Sequence, residues 1–127
     1  MRWRLPLPVL LVVTAITLAT SSCLSPTLPL PPPEQPDSIR VGTAPGTWQV
    51  SGSCDAGATV TVVNEATGIG VVVEDRSNSG SYSVTLVGAQ CDLTTVRELF
   101  MGQESGPTTF PLAARAPGDP TDNPLCH

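Results

Sequence analysis

The sequence predicts an all-β protein, a single small antiparallel β-sandwich flanked by a disordered proline-rich N-terminal stalk and a disordered C-terminal tail. Three observations carry that expectation. Apolar residues in the middle of the chain recur with period two rather than 3.6. Turn signals built from glycine, asparagine, serine and aspartate interrupt them about every ten residues. No window of comparable length has helical spacing free of glycine, proline or β-branched residues, although residues 94–102 (TTVRELFMG) could close one short helical turn.

The chain opens on an address. Arg2 and Arg4 precede an apolar stretch from Val9 to Leu18 and then small polar residues, the anatomy of a secretory signal. The stretch is shorter than the roughly twenty residues a spanning helix needs. Residues 1–22 are therefore expected to be a signal peptide and the product to be exported. Six prolines between Pro26 and Pro36 favour an extended polyproline II run, so residues 23–38 read as a stalk, on the order of 50 Å long if fully extended. The alternative that Pro29–Pro33 is a ligand for a proline-recognising module carries less weight, because those partners are mainly intracellular.

Residues 39–112 are left to fold. Trp48, Val50 and Gly52 alternate with Thr47, Gln49 and Ser51, giving a strand that turns at Asp55-Ala56-Gly57. Ala58, Val60 and Val62 then share one face, and Val71 and Val73 repeat the pattern with Val72 opposed. Asn64–Gly68 between them reads as a hairpin turn whose glycine takes positive φ. Ser77-Asn78-Ser79-Gly80 reads as the next turn, and Tyr82, Val84 and Leu86 form the inner face of the strand after it, so that three consecutive strands are expected to be hairpin-linked. Leu93–Met101 and Thr108–Leu112 supply two more strands. Residues 113–127 hold three prolines and little apolar pattern and are expected to be loosely draped.

Composition removes several functions. The 127 residues carry a net charge of −5, six arginines and no lysine, so nothing here neutralises a run of phosphates and no nucleic-acid partner is expected. The lone histidine, His127, is the final residue, which leaves a serine or cysteine nucleophile without a positioned imidazole. Cys126-His127 is a poor zinc ligand set. Glu74-Asp75 and Asp55 lie in loops and are the only acids worth weighing for calcium or glycoside hydrolysis; neither site has an Asp-x-Asp-x-Asp-Gly pattern, and solvated turn acids are the plainer reading. Trp48 and Tyr82 could stack on a sugar, but alternation places both among inward residues. No catalytic residue, cofactor or metal is expected, and the chain is expected not to be an enzyme.

Four cysteines remain. Cys54, Cys91 and Cys126 are disulfide candidates in an exported chain. If successive strands alternate, Cys54 and Cys91 lie at opposite ends of the sandwich, a strand of about 17 to 20 Å apart, beyond the roughly 7 Å a disulfide tolerates between Cα atoms. Either a strand is misassigned or Cys91 pairs with Cys126, and the pairing stays open at this point. Parity also matters, because removing Cys23 from the count leaves three thiols.

Cys23 follows Ala19-Thr20-Ser21-Ser22, and this end of the signal resembles the lipobox of bacterial lipoproteins, with Thr20 where that family prefers an aliphatic residue. The resemblance implies lipidation of Cys23, and Leu24 after it implies delivery to an outer membrane. The alternative is ordinary cleavage before Ser22 and a soluble periplasmic or secreted product. In the middle, TWQVSGSCDAGATVTVVNEATG followed by SNSGSYSVTL resembles bacterial immunoglobulin-like modules and the carboxypeptidase-regulatory-like (transthyretin-like) sandwich. Gly57, Ala58, Val60 and Val62 match their Gly-Ala-x-Val-x-Val run, and Gly80 and Tyr82 their Gly-x-Tyr. The resemblance implies a sandwich in structural, adhesive or partner-binding use, in this case a cell-envelope lipoprotein whose partners are the lipid bilayer, through an acyl anchor on Cys23, and an unidentified protein or glycan. The alternative is a secreted accessory or carbohydrate-contacting domain.

Overall fold

The computed structural model describes residues 28–120 and 125–126; residues 1–22, expected to be a signal peptide, Cys23 and His127 lie outside them. Eight strands follow in order: β1 (Ser38–Val41), β2 (Thr47–Ser53), β3 (Thr59–Asn64), β4 (Ile69–Glu74), β5 (Ser81–Val87), β6 (Leu93–Phe100), β7 (Gln103–Glu104) and β8 (Thr108–Pro111). One sheet runs β1-β2-β5; the other runs β4-β3-β6, with β7 and β8 taking successive stretches of the far edge of β6. Every pairing is antiparallel. The two sheets close face to face as a small β-sandwich.

Period two sets the packing. In β2, Trp48, Val50 and Gly52 are buried, and in β5 so are Tyr82, Val84 and Leu86. Val60 and Val62 of β3 and Val96 of β6 face them from the other sheet, and Ile39, Phe110 and Leu112 close the rim. Val71 and Val73 pack partly against this seam, whereas Val72 on the opposite face is 65% exposed. Gly52 pairs with Tyr82 across the ladder, and a Cβ at residue 52 would meet the tyrosine ring at 2.9 Å. The bare glycine backbone is what lets that ring lie flat over β2.

Two expectations about the strands need correction. The stretch 94–102 makes no helical turn, since β6 spans most of it. The strands β3, β4 and β5 are also not a run of hairpins. β3 and β4 form one, with Gly68 at φ +71° and its N–H donating to the Asn64 carbonyl at 2.8 Å. The 75–80 turn instead carries the chain across to the other sheet, where β5 joins β2. Its cause is a pair of long-range backbone bonds: the Asp75 N–H donates to the Ala58 carbonyl at 2.9 Å, ending that ladder, and the Cys54 N–H donates to the Gly80 carbonyl at 3.0 Å, placing β5 beside β2.

The flanking segments are not free over their whole length either. Pro33 and Pro36 are buried and Leu30 half-buried, and with buried Ile39 they recur every third residue, the repeat of a polyproline II helix laid along a surface. The Thr108 hydroxyl donates to the Pro33 carbonyl, and Gln35 Nε2 donates to the Thr109 carbonyl at 3.0 Å. At the other end Ala113 is buried. Ile39 and Arg115 exchange backbone hydrogen bonds of 2.9 and 2.8 Å along the open side of β1. The sandwich thus takes in residues assigned from sequence to the stalk and to the tail. Prolines and aspartates do depress regular structure, but a strand edge needs only a few well-placed partners to hold such a segment.

The inward seam should dominate stability. Leu86→Ala is expected to cost about 2 to 5 kcal/mol, and Val72→Ala on the exposed face of β4 less than about 0.5 kcal/mol, read from denaturant melts of the two variants.

Candidate functional site

Beyond the core, chemistry-bearing side chains gather at the end of the sandwich where β2 leaves for β3. Ser53, Cys54 and Asp55 line one wall of a cleft of about 290 Å³, Pro31–Pro33 and Glu34 the opposite wall, and Glu98 of β6 reaches into it. Alternation along β6 puts Thr94, Val96 and Glu98 on the inner face, so Glu98 could have been read as a buried acid by extending the period of that strand. It is 5% exposed. Its Oε1 accepts the Asp55 N–H at 3.3 Å. Burial first, and the neighbouring Asp55 after it, push its carboxyl above the ordinary 4.5.

Cys54 is a free thiol and half-buried. Burial raises its pKa, and the negative charges of Asp75, Glu98 and Asp55 raise it further. A thiol held protonated in acidic surroundings is a poor nucleophile. The cleft lining includes no arginine or histidine that would reverse this.

Asp75 is engaged in building the fold. Its Oδ2 accepts the N–H groups of Gly80 at 2.8 Å and Gly57 at 3.2 Å, and its Oδ1 accepts the Ser79 N–H at 3.0 Å together with the hydroxyls of Ser79 and Ser77. These bonds, that from Gly80 foremost, hold its carboxyl far below the ordinary 3.8. Both oxygens are committed to the crossover turn. Glu74 points the other way, into a 3.1 Å ion pair with exposed Arg76. The Glu74-Asp75 pair read from the sequence is therefore divided between a surface ion pair and an internal brace, and Asp55 joins Glu98 instead. Among the described residues no group of three or more histidine, cysteine, aspartate or glutamate side chains is placed to hold a metal ion.

The opposite end is plugged by Asn64, fully buried, which sequence reading treated only as the first residue of a turn. Its Nδ2 donates to Asp92 Oδ2 at 2.8 Å and to the Val87 carbonyl at 3.2 Å, and its Oδ1 accepts the Ala66 N–H at 2.9 Å. Asn64 and the Ala89 N–H hold the Asp92 carboxyl below its ordinary value. One side chain so links β3, β5 and the loop before β6. Trp48 is inward with its Nε1 donating to the Gly88 carbonyl at 3.0 Å, and Tyr82 is 5% exposed, so neither presents a ring to a sugar.

At this end Cys91, exposed, is disulfide-bonded to Cys126, with Cα atoms 5.3 Å apart and a sequence separation of 35. Cys54 lies at the other end, as strand alternation requires. A bridge closing a loop of this length constrains the unfolded chain by about 4 kcal/mol. No protein-family model matches the chain, and no curated protein sequence matches it.

The titrations set opposite pH limbs. Asp75 and Asp92, with lowered pKa values, contribute stability that is complete above their ordinary 3.8 and lost as the pH falls below it. Glu98, raised, favours folding below 4.5 and disfavours it as the pH rises through its own folded value. Glu98→Gln keeps the oxygen that accepts the Asp55 N–H. It is expected to raise the melting temperature at pH 7, with the gain disappearing below about pH 4.5, measured by thermal melts of both proteins from pH 2 to 8.

Proposed function

We propose that this chain is a non-enzymatic cell-envelope lipoprotein that displays one immunoglobulin-like sandwich outside the cytoplasm. The observation that carries the reading is the Cys91–Cys126 disulfide at an exposed end of a small sandwich, a build suited to an oxidising compartment, behind a sequence with the anatomy of a secretory signal. The strand order supports the immunoglobulin-like alternative: β1, β2 and β5 in one sheet and β3, β6 and β8 in the other occupy the places of strands A, B, E and C, F, G of that fold.

The non-catalytic reading draws on the acids. Asp75 is saturated by hydrogen bonds, Glu98 is buried against Asp55, and the Cys54 thiol is kept protonated. What remains for a partner is surface. The outer face of the β1-β2-β5 sheet presents Gln49, Ser51, Ser83 and Thr85, and that of the second sheet Thr61, Val72, Arg97 and Leu99. Because the described proline segment packs on the sandwich from Leu30 onward, an anchor at Cys23 would hold the module within roughly 25 Å of the bilayer surface, the reach of seven extended residues. This is a close mount, about half the length the proline run alone implies.

Expression in a bacterium with an outer membrane, fed a clickable palmitate analogue, tests the anchor. Label in the membrane fraction that disappears with Cys23→Ser is expected; an unlabelled soluble protein beginning at Ser22 would contradict it and favour the secreted alternative.

A further inference from the structure

The outer edge of β8 is already met by a segment of defined chemistry, the chain's own residues 30–36, which also forms one wall of the cleft beside it. The fit has three parts. Leu30, Pro33 and Pro36 turn one side to the sandwich at every third position while Pro31, Pro32 and Glu34 remain exposed, which is how a polyproline II helix presents a single face. The Thr108 hydroxyl donates to the Pro33 carbonyl, and Gln35 returns a bond to the Thr109 carbonyl. Pro31–Pro33 stand against Ser53, Cys54, Asp55 and Glu98 across the cleft.

None of this uses a strand ladder. A proline has no N–H to give a β-edge, so the surface reads ring spacing and a carbonyl rather than continuing the sheet. We propose that this edge is a recognition surface for extended proline-rich peptides with prolines at i and i+3, and that residues 30–36 occupy it in cis as an internal competitor. Such peptides bind through a preformed, low-entropy helix. Charge does not drive the fit, because the segment brings Glu34 to a cleft that already holds the carboxylates of Asp55 and Glu98, so a peptide with an uncharged or basic residue in place of Glu34 is expected to bind more tightly. The proline run and its reader then lie within one chain, and the proposal does not depend on lipidation of Cys23.

The test uses the full chain without its signal, carrying Pro33→Ser and Pro36→Ser, and a fluorescent synthetic peptide of residues 28–37 read by anisotropy. Saturable binding is expected. The unsubstituted chain should bind the peptide at least about tenfold more weakly, because its attached segment competes at millimolar effective concentration. Adding Thr108→Val should weaken binding about fivefold, the loss of one hydrogen bond, and a peptide with alanine for Pro33 and Pro36 should not bind. Should the double variant lose its cooperative melt, the Pro33→Ser chain replaces it. No saturation at millimolar peptide in a folded variant, or equal binding of the alanine peptide, would overturn the proposal.

Discussion

Two short sheets laid face to face leave four strand edges, and each edge carries N–H and C=O groups that must find partners or water. In this protein the answer to that constraint shapes everything outside the core. β1 is met by Arg115, through two backbone hydrogen bonds with Ile39. β8 is met by Pro33 and Gln35. The outer edges of β4 and β5 lie on the remaining side, where the crossover turn braced by Asp75 joins them. Without the flanking segments the sandwich would expose fresh pairing surface on two further sides.

The valine-rich seam and the polar plugs divide the work of specifying this arrangement. Apolar burial is indifferent to which strand follows which. Direction comes from a few saturated polar groups: Asp75 turns the chain from one sheet to the other, and Asn64 with Asp92 ties three segments at the far end. The disulfide then fastens Cys126 to the same end as Asn64. Glu98 is the exception, a buried acid whose raised pKa opposes folding at neutral pH, and it sits beside the cleft where the proline segment docks.

Much of the sandwich was legible in the sequence because period two survives in β2, β3 and β5, where Trp48, Val50, Val60, Val62, Val84 and Leu86 all face inward as alternation requires. β1 was not legible, since Ser38-Ile39-Arg40-Val41 has one buried apolar residue and follows a proline run. The crossing to β5 is not legible because Ser77–Gly80 has hairpin composition, while the bonds that redirect the chain reach residues distant in sequence: Asp75 N–H to the Ala58 carbonyl, Cys54 N–H to the Gly80 carbonyl and Gly57 N–H to the Asp75 carboxylate. The flanks were misread for a related reason. Composition records how costly it is to order proline and aspartate, but not a three-residue spacing that matches a groove, nor a single pair of backbone bonds to Ile39. Among the candidate cysteines, geometry could narrow the pairing to Cys91 with Cys126 but not choose it, and Glu98 lay hidden in a stretch whose helical alternative drew attention from its alternation.

The direct measurement is native-state hydrogen exchange at the Arg115 amide. If the C-terminal segment is part of the sandwich, this amide, bonded to the Ile39 carbonyl, exchanges at least about a hundredfold more slowly than an unstructured chain, a protection typical of sub-global opening. Exchange at the unstructured rate, with the Val62 amide still protected, would contradict the account by leaving the edge of β1 bare.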